Sequence, residues 1–292
     1  MMWAAALVIL HCIALPFTLL SLTPTSFLLR ILAHGPLPKH VAFIMDGNRR
    51  WARSLPSRLP STSVVSGHQS GFQALKRVLD LCLQLRGIEH VTVYAFAIDN
   101  FKRKREEVDE LMALARQSLI ELAGHGELLA RHQARLKVVG RTELLPKDVQ
   151  DAVRRVEDMT RDNIGPTLNI CIPYSSRDEM AGALQTCARN HAASQNGITA
   201  NGGPHANGNQ TNAMMLAHSP PLDILVRTSG VHRLSDFMLW QITPETTIHF
   251  VPTYWPAFGL WDLLPIVLQW QAMHFHKWWR DGGAHQAGKE AT

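Results

Sequence analysis

One stretch of the sequence, FIMDGNRRWAR at Phe43 to Arg53, joins an apolar run to a cluster of charged and amide side chains. Its polar half supplies a carboxylate, a glycine, an amide and two adjacent guanidinium groups. Gly47 permits a tight turn with exposed backbone amides, and arginines bind phosphate oxygens through paired hydrogen bonds. Asp46 is the hard oxygen ligand expected of a magnesium ion that also holds a diphosphate. The stretch therefore predicts a turn that binds a phosphorylated anion.

Two further stretches place similar chemistry directly after apolar β-type runs. After HVTVYAFA the chain carries, in order, Asp99, Asn100, Lys102, Arg103 and Glu107. After LDILV it carries Arg227, Thr228, Ser229, Gly230, Arg233 and Ser235. The two arginines and the second serine of this last group form a short cradle suited to bidentate capture of phosphate oxygens.

Each of these signals has an ordinary explanation when it is taken alone. A DGN tripeptide is usually a turn, and an arginine pair is usually a solvated helix face. The run KRKR at Lys102 to Arg105 is equally typical of surface charge or of a patch for anionic lipid. In an open parallel sheet, however, ligands bind beyond the carboxyl ends of the strands. Because all three groups follow predicted strands, they favour an anion-binding α/β enzyme, with solvated turns as the alternative.

From His40 onward, β-type runs alternate with amphipathic helical patterns. The predicted strands are HVAFIM, HVTVYAFA, RLKVVG, TLNICIPY and LDILVRT. The predicted helices are GFQALKRVLDLCLQL, EEVDELMALARQSLIEL, PKDVQDAVRRVEDMT, SRDEMAGALQTCARN and a C-terminal helix near Leu263 to Trp278. Strands separated by helices of this length predict an α/β fold with a mainly parallel central sheet and helices on both faces.

The chain divides into an apolar N-terminal segment at 1–34, a catalytic domain at 35–280 and a polar C-terminal tail at 281–292. Within the domain, residues 191–221 include SQNGITANGGPHANGNQTN, which is rich in asparagine, glycine and alanine and has no apolar period. Burial cannot offset the entropy of ordering such a segment. We therefore predict a disordered surface insertion there.

The bulk composition limits the class of protein. With 292 residues, of which 46% are hydrophobic, the chain is long enough for one large domain or two small ones. Its net charge of +5 suits an anionic partner. No nucleic-acid-binding module or aromatic stacking platform is recognised in the sequence, so we expect no nucleic acid. The four cysteines stand far apart without a CxxC pair, which predicts reduced thiols in a cytosolic compartment and argues against a zinc site.

The N-terminal segment has the composition of a membrane-associating element. Residues 1–29 contain no charged side chain, and Arg30 is the first. About 20 apolar residues suffice to span a bilayer, but His11, Pro16 and the polar stretch Ser21 to Ser26 weaken that interpretation and leave a helix that lies in the interface as a near-equal alternative. No positive region precedes the apolar run, which argues against a cleaved signal peptide. We expect association with a membrane surface or a single span, with a core or partner-binding helix as the alternative.

Four long motifs resemble, in order, the signature regions of cis-prenyltransferases. They are HVAFIMDGNRRWA, YAFAIDNFKRKREEVDELM, LNICIPYSSRDEM and DILVRTSGVHRLSDFMLWQ, and a YWPAF segment follows. The similarity extends from about Pro38 to Gln271, apart from the insertion. PYSSRDEM, and RTSG followed by RLSDFMLWQ, are more similar to the eukaryotic dehydrodolichyl diphosphate synthases than to the bacterial undecaprenyl diphosphate synthases.

This resemblance implies the cis-prenyltransferase fold and a magnesium-dependent reaction. Isopentenyl diphosphate would be condensed repeatedly onto an allylic starter such as farnesyl diphosphate, with each new double bond cis. The long-chain polyprenyl diphosphate would be a precursor of dolichol for protein glycosylation. The expected location is the endoplasmic reticulum membrane, with the catalytic domain facing the cytosol, or lipid droplets.

An apolar product needs a dry tunnel, and one amphipathic helix offers a face for it. The residues on this face are Val108, Leu111, Met112, Ala115, Leu119 and Leu122. An elongated apolar tunnel is therefore expected between this helix and its neighbours, with an ordinary core face as the alternative.

Carried over residue by residue, the resemblance assigns roles within the motifs. Asp46 is similar to the catalytic carboxylate that holds Mg²⁺ on the diphosphate, and Asn100 matches a second catalytic position. The allylic diphosphate would be bound by Gly47, Asn48, Arg49, Arg50, His68 and Arg103. Trp51 and Glu107 would support this group. Isopentenyl diphosphate would be bound by Arg227, Arg233 and Ser235.

The sequence departs from the family pattern at several places. Val231 and His232 stand where the family usually has a glutamate after the RTSG glycine, and Glu245 is the nearest counterpart of another metal-assisting acid. Val64 replaces a usual basic residue, and Ala97 follows YAF where serine is common. We expect the protein to bind diphosphates despite these changes. Metal binding and the turnover rate are the properties that the changes would affect.

The eukaryotic catalytic subunits of this family commonly work with a Nogo-B-receptor-like subunit, whose C-terminal RxG motif completes the active site. Arg280-Asp281-Gly282 has the form of that motif, but RDGG before a polar tail is also typical of a helix that ends at a glycine. We expect a heteromer, with a homodimer as the alternative. The rival interpretation is a noncatalytic subunit that activates or anchors another prenyltransferase, and the DGNRR turn with its aspartate argues against it.

Overall fold

A six-stranded parallel sheet organises the computed structural model, which describes residues 24–55, 64–124, 128–195 and 213–280. The strands are β1 His40–Ile44, β2 His90–Tyr94, β3 Arg135–Val139, β4 Thr167–Cys171, β5 Ile224–Arg227 and β6 Thr247–Phe250. Their order in the sheet is β3-β4-β2-β1-β5-β6. Every neighbouring pair is parallel, so the predicted fold class is confirmed.

The five predicted strands are all present, but each ends one to three residues earlier than predicted. The sixth strand, β6, was not predicted. It is only four residues long and half-exposed, so the alternation of polar and apolar residues in TIHF is too short to identify a strand. Its pairing with β5 is a tertiary effect.

Eight α-helices surround the sheet within the described ranges. They are α1 Pro24–Ala33, α2 Asn48–Ser54, α3 Val64–Gln84, α4 Arg105–Ala123, α5 Leu128–Arg131, α6 Lys147–Thr160, α7 Ser176–Gln195 and α8 Leu260–Arg280. Short 3-10 helices cover Ile98–Lys102, Thr142–Leu144 and Trp255–Ala257. The five predicted helices correspond to α3, α4, α6, α7 and α8.

The two faces of the sheet are covered unequally. Successive side chains of a strand point to opposite faces, so Val41 and Phe43 enter a large core with α1, α3, α4, α6 and α8. Ala42 and Ile44 enter a smaller core on the other face. That face is covered by α7 and by the irregular segments 213–222 and 234–242.

The central strand β1 aligns the ends of its two neighbours. Ile44 pairs in register with Tyr94 of β2 and with Arg227 of β5. The chain segments that follow these three strands therefore leave the sheet at one place. Since the strand order changes direction there, this edge is where an open α/β sheet binds its ligand.

The boundary predicted at residue 34 differs from the structure. Leu29 and Leu32 of α1 are buried in the large core, and the Gln271 side chain donates a hydrogen bond of 2.7 Å to the Leu32 carbonyl. Residues 24–33 are therefore part of the folded domain. Among the described helices none is long and apolar enough to cross a bilayer, and the apolar residues 1–23 lie outside the described ranges, as does the tail 281–292.

The insertion predicted at 191–221 is too wide at both ends. Helix α7 continues through Gln195, and Met214 and Leu216 are buried against the smaller core. The Leu216 amide also donates to the Glu179 carboxylate at 3.2 Å. Apolar side chains after residue 212 therefore anchor this part of the segment, while residues 196–212 lie outside the described ranges.

A buried polar network joins the segment 213–222 to the sheet. His40 is fully buried, and its Nδ1 donates to the Pro220 carbonyl at 2.9 Å while its Nε2 accepts from the Thr92 hydroxyl at 2.7 Å. Asn169 donates to Thr92 and to Ser219, each at 3.0 Å. Burial lowers the pKa of His40 to about 4, so the imidazole is neutral when the domain is folded at neutral pH.

Acidification should destabilise the domain through this histidine. The unfolded chain takes up a proton below pH 6.5, whereas folded His40 stays neutral down to about pH 4. Its contribution to stability is present above pH 6.5 and is lost as the pH falls towards 4. We expect the free energy of unfolding to fall by about 2 kcal/mol from this residue between pH 7 and pH 5, measured by urea denaturation. His40→Gln, although less stable at pH 7, should lose less on acidification; an equal loss in both proteins would contradict this.

Candidate active site

A cavity of about 810 Å³ opens at the carboxyl ends of β1, β2 and β5. One end is polar and is lined by the residues that follow the strands, including Asp46, Asn48, Asn100, Arg103, Arg227 and Ser235. The other end is apolar and extends between α3 and α4, with walls that include Phe72, Leu75, Leu111, Leu119 and Leu122. The arrangement fits a ligand with an anionic head and an apolar chain.

Backbone hydrogen bonds fix the turn that carries Asp46. The Asp46 amide donates a hydrogen bond of 2.9 Å to the Thr228 hydroxyl, and that hydroxyl lies 2.6 Å from the Asp46 carbonyl oxygen. The Trp255 amide donates to the same carbonyl at 3.0 Å. Two other chain segments thus hold Asp46 in place at the end of β1.

The Asp46 carboxylate lies between two guanidinium groups. Its Oδ2 accepts a hydrogen bond of 2.8 Å from Arg227, and its Oδ1 lies 3.3 Å from Arg50. Burial alone would raise the pKa of Asp46, but the hydrogen bond and charge of Arg227, the charge of Arg50 and the Gly47 amide together lower it. The carboxylate is therefore ionised at neutral pH, the state in which it can bind a cation.

Gly47 is required by the geometry of this turn. Its φ is +106°, a conformation that residues with a Cβ rarely adopt. A Cβ there would lie 2.8 Å from the Tyr254 ring and 2.9 Å from Ser229 Cβ. The close approach lets Arg50 reach the Ser229 hydroxyl and lie 5.6 Å from the centre of the Tyr254 ring. The tight turn therefore also orients the Arg50 guanidinium.

Helix α3 packs closely against the same turn through two glycines one helical turn apart. A Cβ at Gly67 would lie 2.6 Å from the Asn48 carbonyl, and one at Gly71 would lie 2.5 Å from Asn48 Oδ1. Within the described ranges, Asn48 Oδ1 and His68 Nε2 are buried without hydrogen-bond partners. Burial, helped by the charges of Arg103 and Arg49, lowers the pKa of His68 to about 4, so this histidine is a neutral group facing the cavity.

Glu107 connects the second polar group to the first. Its Oε1 accepts from Arg103 at 2.9 Å and lies 3.5 Å from Arg49. Arg103 also donates to the Asn100 side chain at 3.0 Å. Since Glu107 is not itself a cavity-lining residue, it supports the site by holding these two arginines.

The third polar group surrounds Arg227, whose side chain is 4% exposed. Its guanidinium donates to Asp46, to the Ser235 hydroxyl at 2.7 Å and to the Arg233 carbonyl at 2.5 Å. The loop beyond it has unusual backbone geometry, with positive φ angles at Ser229, Gly230, Ser235, Asp236 and Met238. Such conformations are held by surrounding contacts and cluster at ligand sites.

The structure brings together nearly all of the site residues predicted from the sequence. Those that line the cavity are Asp46, Gly47, Asn48, Arg49, Arg50, His68, Asn100, Arg103, Arg227, Arg233 and Ser235. Trp51 is half-buried and does not line it. Glu245 is exposed away from the cavity, while Val231 lines it, so neither position supplies a carboxylate to the site.

The predicted tunnel face on α4 is partly wrong. Leu111, Ala115, Leu119 and Leu122 line the cavity, but Met112 is buried in the main core and Val108 packs against that core. Leu114 and Ser118 line the cavity in their place. A helical pattern identifies the apolar face, but only packing against α3 decides which side of that face borders the cavity.

Three positioning residues and one cavity residue had no specific role assigned from the sequence. The Thr228 hydroxyl accepts a hydrogen bond from the Asp46 amide, and the Ser229 hydroxyl accepts one from Arg50. Gly71 has no side chain and so leaves space for the Asn48 side chain. Arg53 lines the cavity. Two sequence signals could have indicated these residues. One is the pair of glycines four residues apart, and the other is the position of Arg53 one helical turn after Arg49 and Arg50.

Comparison with known proteins agrees with this geometry. The profile of the putative undecaprenyl diphosphate synthase family matches residues 44–276, which include the three polar groups and both walls of the cavity. The chain belongs to this family. Its members are cis-prenyl diphosphate synthases, so the activity class expected from the motifs is confirmed.

The curated relatives are similar over most of their length. A dehydrodolichyl diphosphate synthase complex subunit of Schizosaccharomyces pombe is 39% identical over 90% of this chain and 95% of its own length. The corresponding human complex subunit is 40% identical over 85% of this chain and 71% of its own length. These similarities support the eukaryotic branch that the motifs indicated.

Two solved structures share the fold. Lavandulyl diphosphate synthase from Lavandula x intermedia, solved in complex with dimethylallyl diphosphate, is 30% identical, covers 80% of this chain and 95% of its own, and superposes with a TM-score of 0.68. A probable undecaprenyl diphosphate synthase from Campylobacter jejuni, at 23% identity with the same coverage and a TM-score of 0.60, supports the fold alone.

Replacing Gly47 should destabilise the protein through the turn. Gly47→Ala introduces a Cβ into a strained conformation and into contact with Tyr254 and Ser229, and we expect a loss of about 1–3 kcal/mol in the free energy of unfolding. Gly182→Ala is the matched control, because a Cβ there meets no atom within 4 Å. In a helix interior that change should stabilise by roughly 0.5–1 kcal/mol. Urea denaturation measures both, and a Gly47→Ala protein as stable as wild type would refute the assignment.

Proposed function

We propose that this protein is a dehydrodolichyl diphosphate synthase-type cis-prenyltransferase. It condenses isopentenyl diphosphate sequentially onto farnesyl diphosphate and forms a long-chain polyprenyl diphosphate, the precursor of dolichol for protein glycosylation. The observation that carries this proposal is the cavity itself, in which one carboxylate and several guanidinium groups stand at the end of an apolar space. A diphosphate head and a growing isoprenoid chain have matching chemistry.

The allylic diphosphate is bound at the end of β1. Gly47, Asn48, Arg49, Arg50, His68 and Arg103 contribute to this site. Arg50 is held by Ser229, and Arg49 and Arg103 are held by Glu107. Because the guanidinium groups are fixed before substrate binds, they stabilise the charge that develops on the departing pyrophosphate without reorganisation.

A single carboxylate suits the magnesium ion that this family implies. Asp46 is the one carboxylate among the described residues that line the cavity, and those residues contain no cluster of three or more metal ligands. Mg²⁺ usually takes one or two carboxylates and completes its coordination with water and substrate phosphates. Asp46, ionised and 28% exposed, would hold it. When bound, the ion supplies Lewis-acid neutralisation of the diphosphate.

Isopentenyl diphosphate is bound beside β5 by Arg227, Arg233 and Ser235. Asn100 and Arg103 lie across the cavity from this cradle, on the segment after β2. The allylic carbon–oxygen bond breaks and its electron pair leaves with pyrophosphate. The double bond of isopentenyl diphosphate then attacks the allylic carbon, a carbon–carbon bond forms, and a proton is lost from the former isopentenyl unit. The apolar walls on α3 and α4 exclude water from the cation.

We propose a heteromeric assembly with a Nogo-B-receptor-like subunit. The curated relatives are named as complex subunits, which supports this choice over a homodimer. The RxG-like Arg280-Asp281-Gly282 extends from the end of α8 beyond the described residues. The same naming keeps open a noncatalytic role as an activating or anchoring subunit, but the ionised Asp46 within a set of arginines favours catalysis.

We also propose that the enzyme works at the endoplasmic reticulum membrane, with the catalytic domain facing the cytosol; lipid droplets are the alternative site. The outer face of α8 supports membrane contact. Its exposed residues between 260 and 275 are Trp261, Pro265, Leu268, Gln269, Ala272, Met273 and Phe275, and none is charged. Helix α1 packs beside α8 and follows the uncharged N-terminal residues in the sequence, which lie outside the described ranges.

The activity should depend on Asp46. Purified protein, with and without the candidate partner, is incubated with farnesyl diphosphate, labelled isopentenyl diphosphate and magnesium. We expect polyprenyl product from wild type, and a fall of roughly 100-fold or more in kcat for Asp46→Ala with the fold intact by circular dichroism. Asp99→Ala removes an exposed carboxylate that does not line the cavity, and it should retain activity.

Two outcomes would count against this assignment. If wild type binds farnesyl diphosphate but forms no product with or without the partner, the noncatalytic interpretation is correct. Near-normal turnover by Asp46→Ala would contradict the proposal that Asp46 binds Mg²⁺.

Membrane contact should depend on the outer face of α8. The double variant Trp261→Ser and Leu268→Ser removes two apolar side chains that are 74% and 46% exposed. In a flotation assay with phosphatidylcholine–phosphatidylserine vesicles, we expect a clear loss of the vesicle-bound fraction. Leu144→Ser, at a position 45% exposed elsewhere on the domain, should bind as wild type does. Equal binding by all three proteins would exclude α8 as the contact surface.

A further inference from the structure

The polar end of the cavity contains more positive charge than its carboxylates neutralise. Six arginines line it: Arg49, Arg50, Arg53, Arg103, Arg227 and Arg233. Glu107 contacts two of them and Asp46 contacts another two. In the described part of the chain, Arg53 and Arg233 are the two with no carboxylate within salt-bridge distance. The cradle after β5 already uses Arg233, whereas Arg53 has no role in the function proposed above.

The position of Arg53 is set by packing. It lies in the last turn of α2, one turn after Arg49 and Arg50, and residues three or four apart lie on the same side of a helix. The neighbouring Ala52 is 2% exposed and would be 3.1 Å from a Cβ at Gly67 of α3. The helix is therefore held closely against α3, and the exposed Arg53 side chain faces the cavity from a fixed backbone.

An unpaired arginine on a helix is most often a solvated surface residue. Arg53 differs because it lines a cavity in which the neighbouring guanidinium groups share too few carboxylates. Like charges so close repel one another, and the repulsion is relieved when an anion binds between them. An exposed guanidinium with no described carboxylate partner, beside two that are paired, is suited to an anion that changes position during turnover.

We propose that Arg53 is a third α2 arginine that binds the allylic diphosphate. Arg53 would continue to neutralise the negative charge of this group as it departs as pyrophosphate. This inference rests on the proposed function for the identity of the ligand. The ligand class is a diphosphate monoester or inorganic pyrophosphate. Isopentenyl diphosphate is excluded as its main ligand, because the isopentenyl cradle is built from β5 and the loop after it, whereas Arg53 belongs to the helix that follows β1.

The test compares Arg53→Gln with two matched proteins. Arg53→Lys keeps the charge, and Arg86→Gln removes one charge from an exposed site between α3 and β2, at the opposite edge of the sheet. For Arg53→Gln we expect the KM for farnesyl diphosphate to rise roughly tenfold, while the KM for isopentenyl diphosphate stays near the wild-type value. Arg53→Lys should recover most of the loss, and Arg86→Gln should match wild type. An unchanged KM for farnesyl diphosphate, or an equal rise for both substrates, would overturn the proposal.

A binding measurement separates this inference from the proposed activity. Isothermal titration of inorganic pyrophosphate should give roughly tenfold weaker binding to Arg53→Gln than to wild type and Arg86→Gln. If wild type forms no polyprenyl product but this difference is observed, the proposed activity fails while the anion-binding role of Arg53 stands. If all three proteins bind pyrophosphate equally, the role of Arg53 is wrong even when the enzyme is active.

Discussion

The ion pair between Arg227 and Asp46 ties the carboxyl end of β5 to the carboxyl end of β1. Placing a guanidinium where only 4% of it is exposed is costly unless its donors are satisfied. The Asp46 carboxylate, the Ser235 hydroxyl and the Arg233 carbonyl satisfy several of them. The same contacts set the direction of the carboxylate and the path of the loop after β5. Loss of this pair would therefore disturb both sides of the site together.

A second constraint is the close packing of α3 against the turn after β1. Gly67 and Gly71 allow the helix to approach Asn48 without side chains between them. This contact places His68 at the polar end of the cavity, and the residues that follow on α3 form one apolar wall. The boundary between the diphosphate region and the apolar space is thus set by one helix that runs from one to the other.

The electrostatics of the site favour anions before any anion is bound. Two carboxylates pair with four of the six arginines, and His68 is kept neutral by burial. A neutral imidazole with a free nitrogen offers a hydrogen bond without adding to the repulsion. The charge excess provides attraction for two diphosphates, and the fixed pairs with Glu107 and Asp46 keep the arginines oriented. Arg53, one of the six, has no carboxylate within salt-bridge distance among the described residues.

Much of the fold and of the site was determined by the sequence itself. Apolar runs separated by amphipathic helices predict the parallel sheet, because burial on both faces requires that pattern. Asp46, Gly47 and the arginines were identifiable because few structural roles need a glycine turn and several guanidinium groups directly after buried strands. The motifs of the second and third polar groups were equally local, so their residues could be found without knowing how they meet.

Other features were decided by the tertiary structure alone. The short strand β6 is stabilised by pairing with β5, and Met214 and Leu216 order the end of the predicted insertion by packing on the sheet. The division of α4 into cavity and core positions depends on where α3 lies. The periodicity of the α4 sequence carries no information about that position. The pairing of Asp46 with Arg227 joins residues 181 positions apart. Sequence fixes which groups are available, but distances between remote residues arise only when the sheet brings its strand ends together.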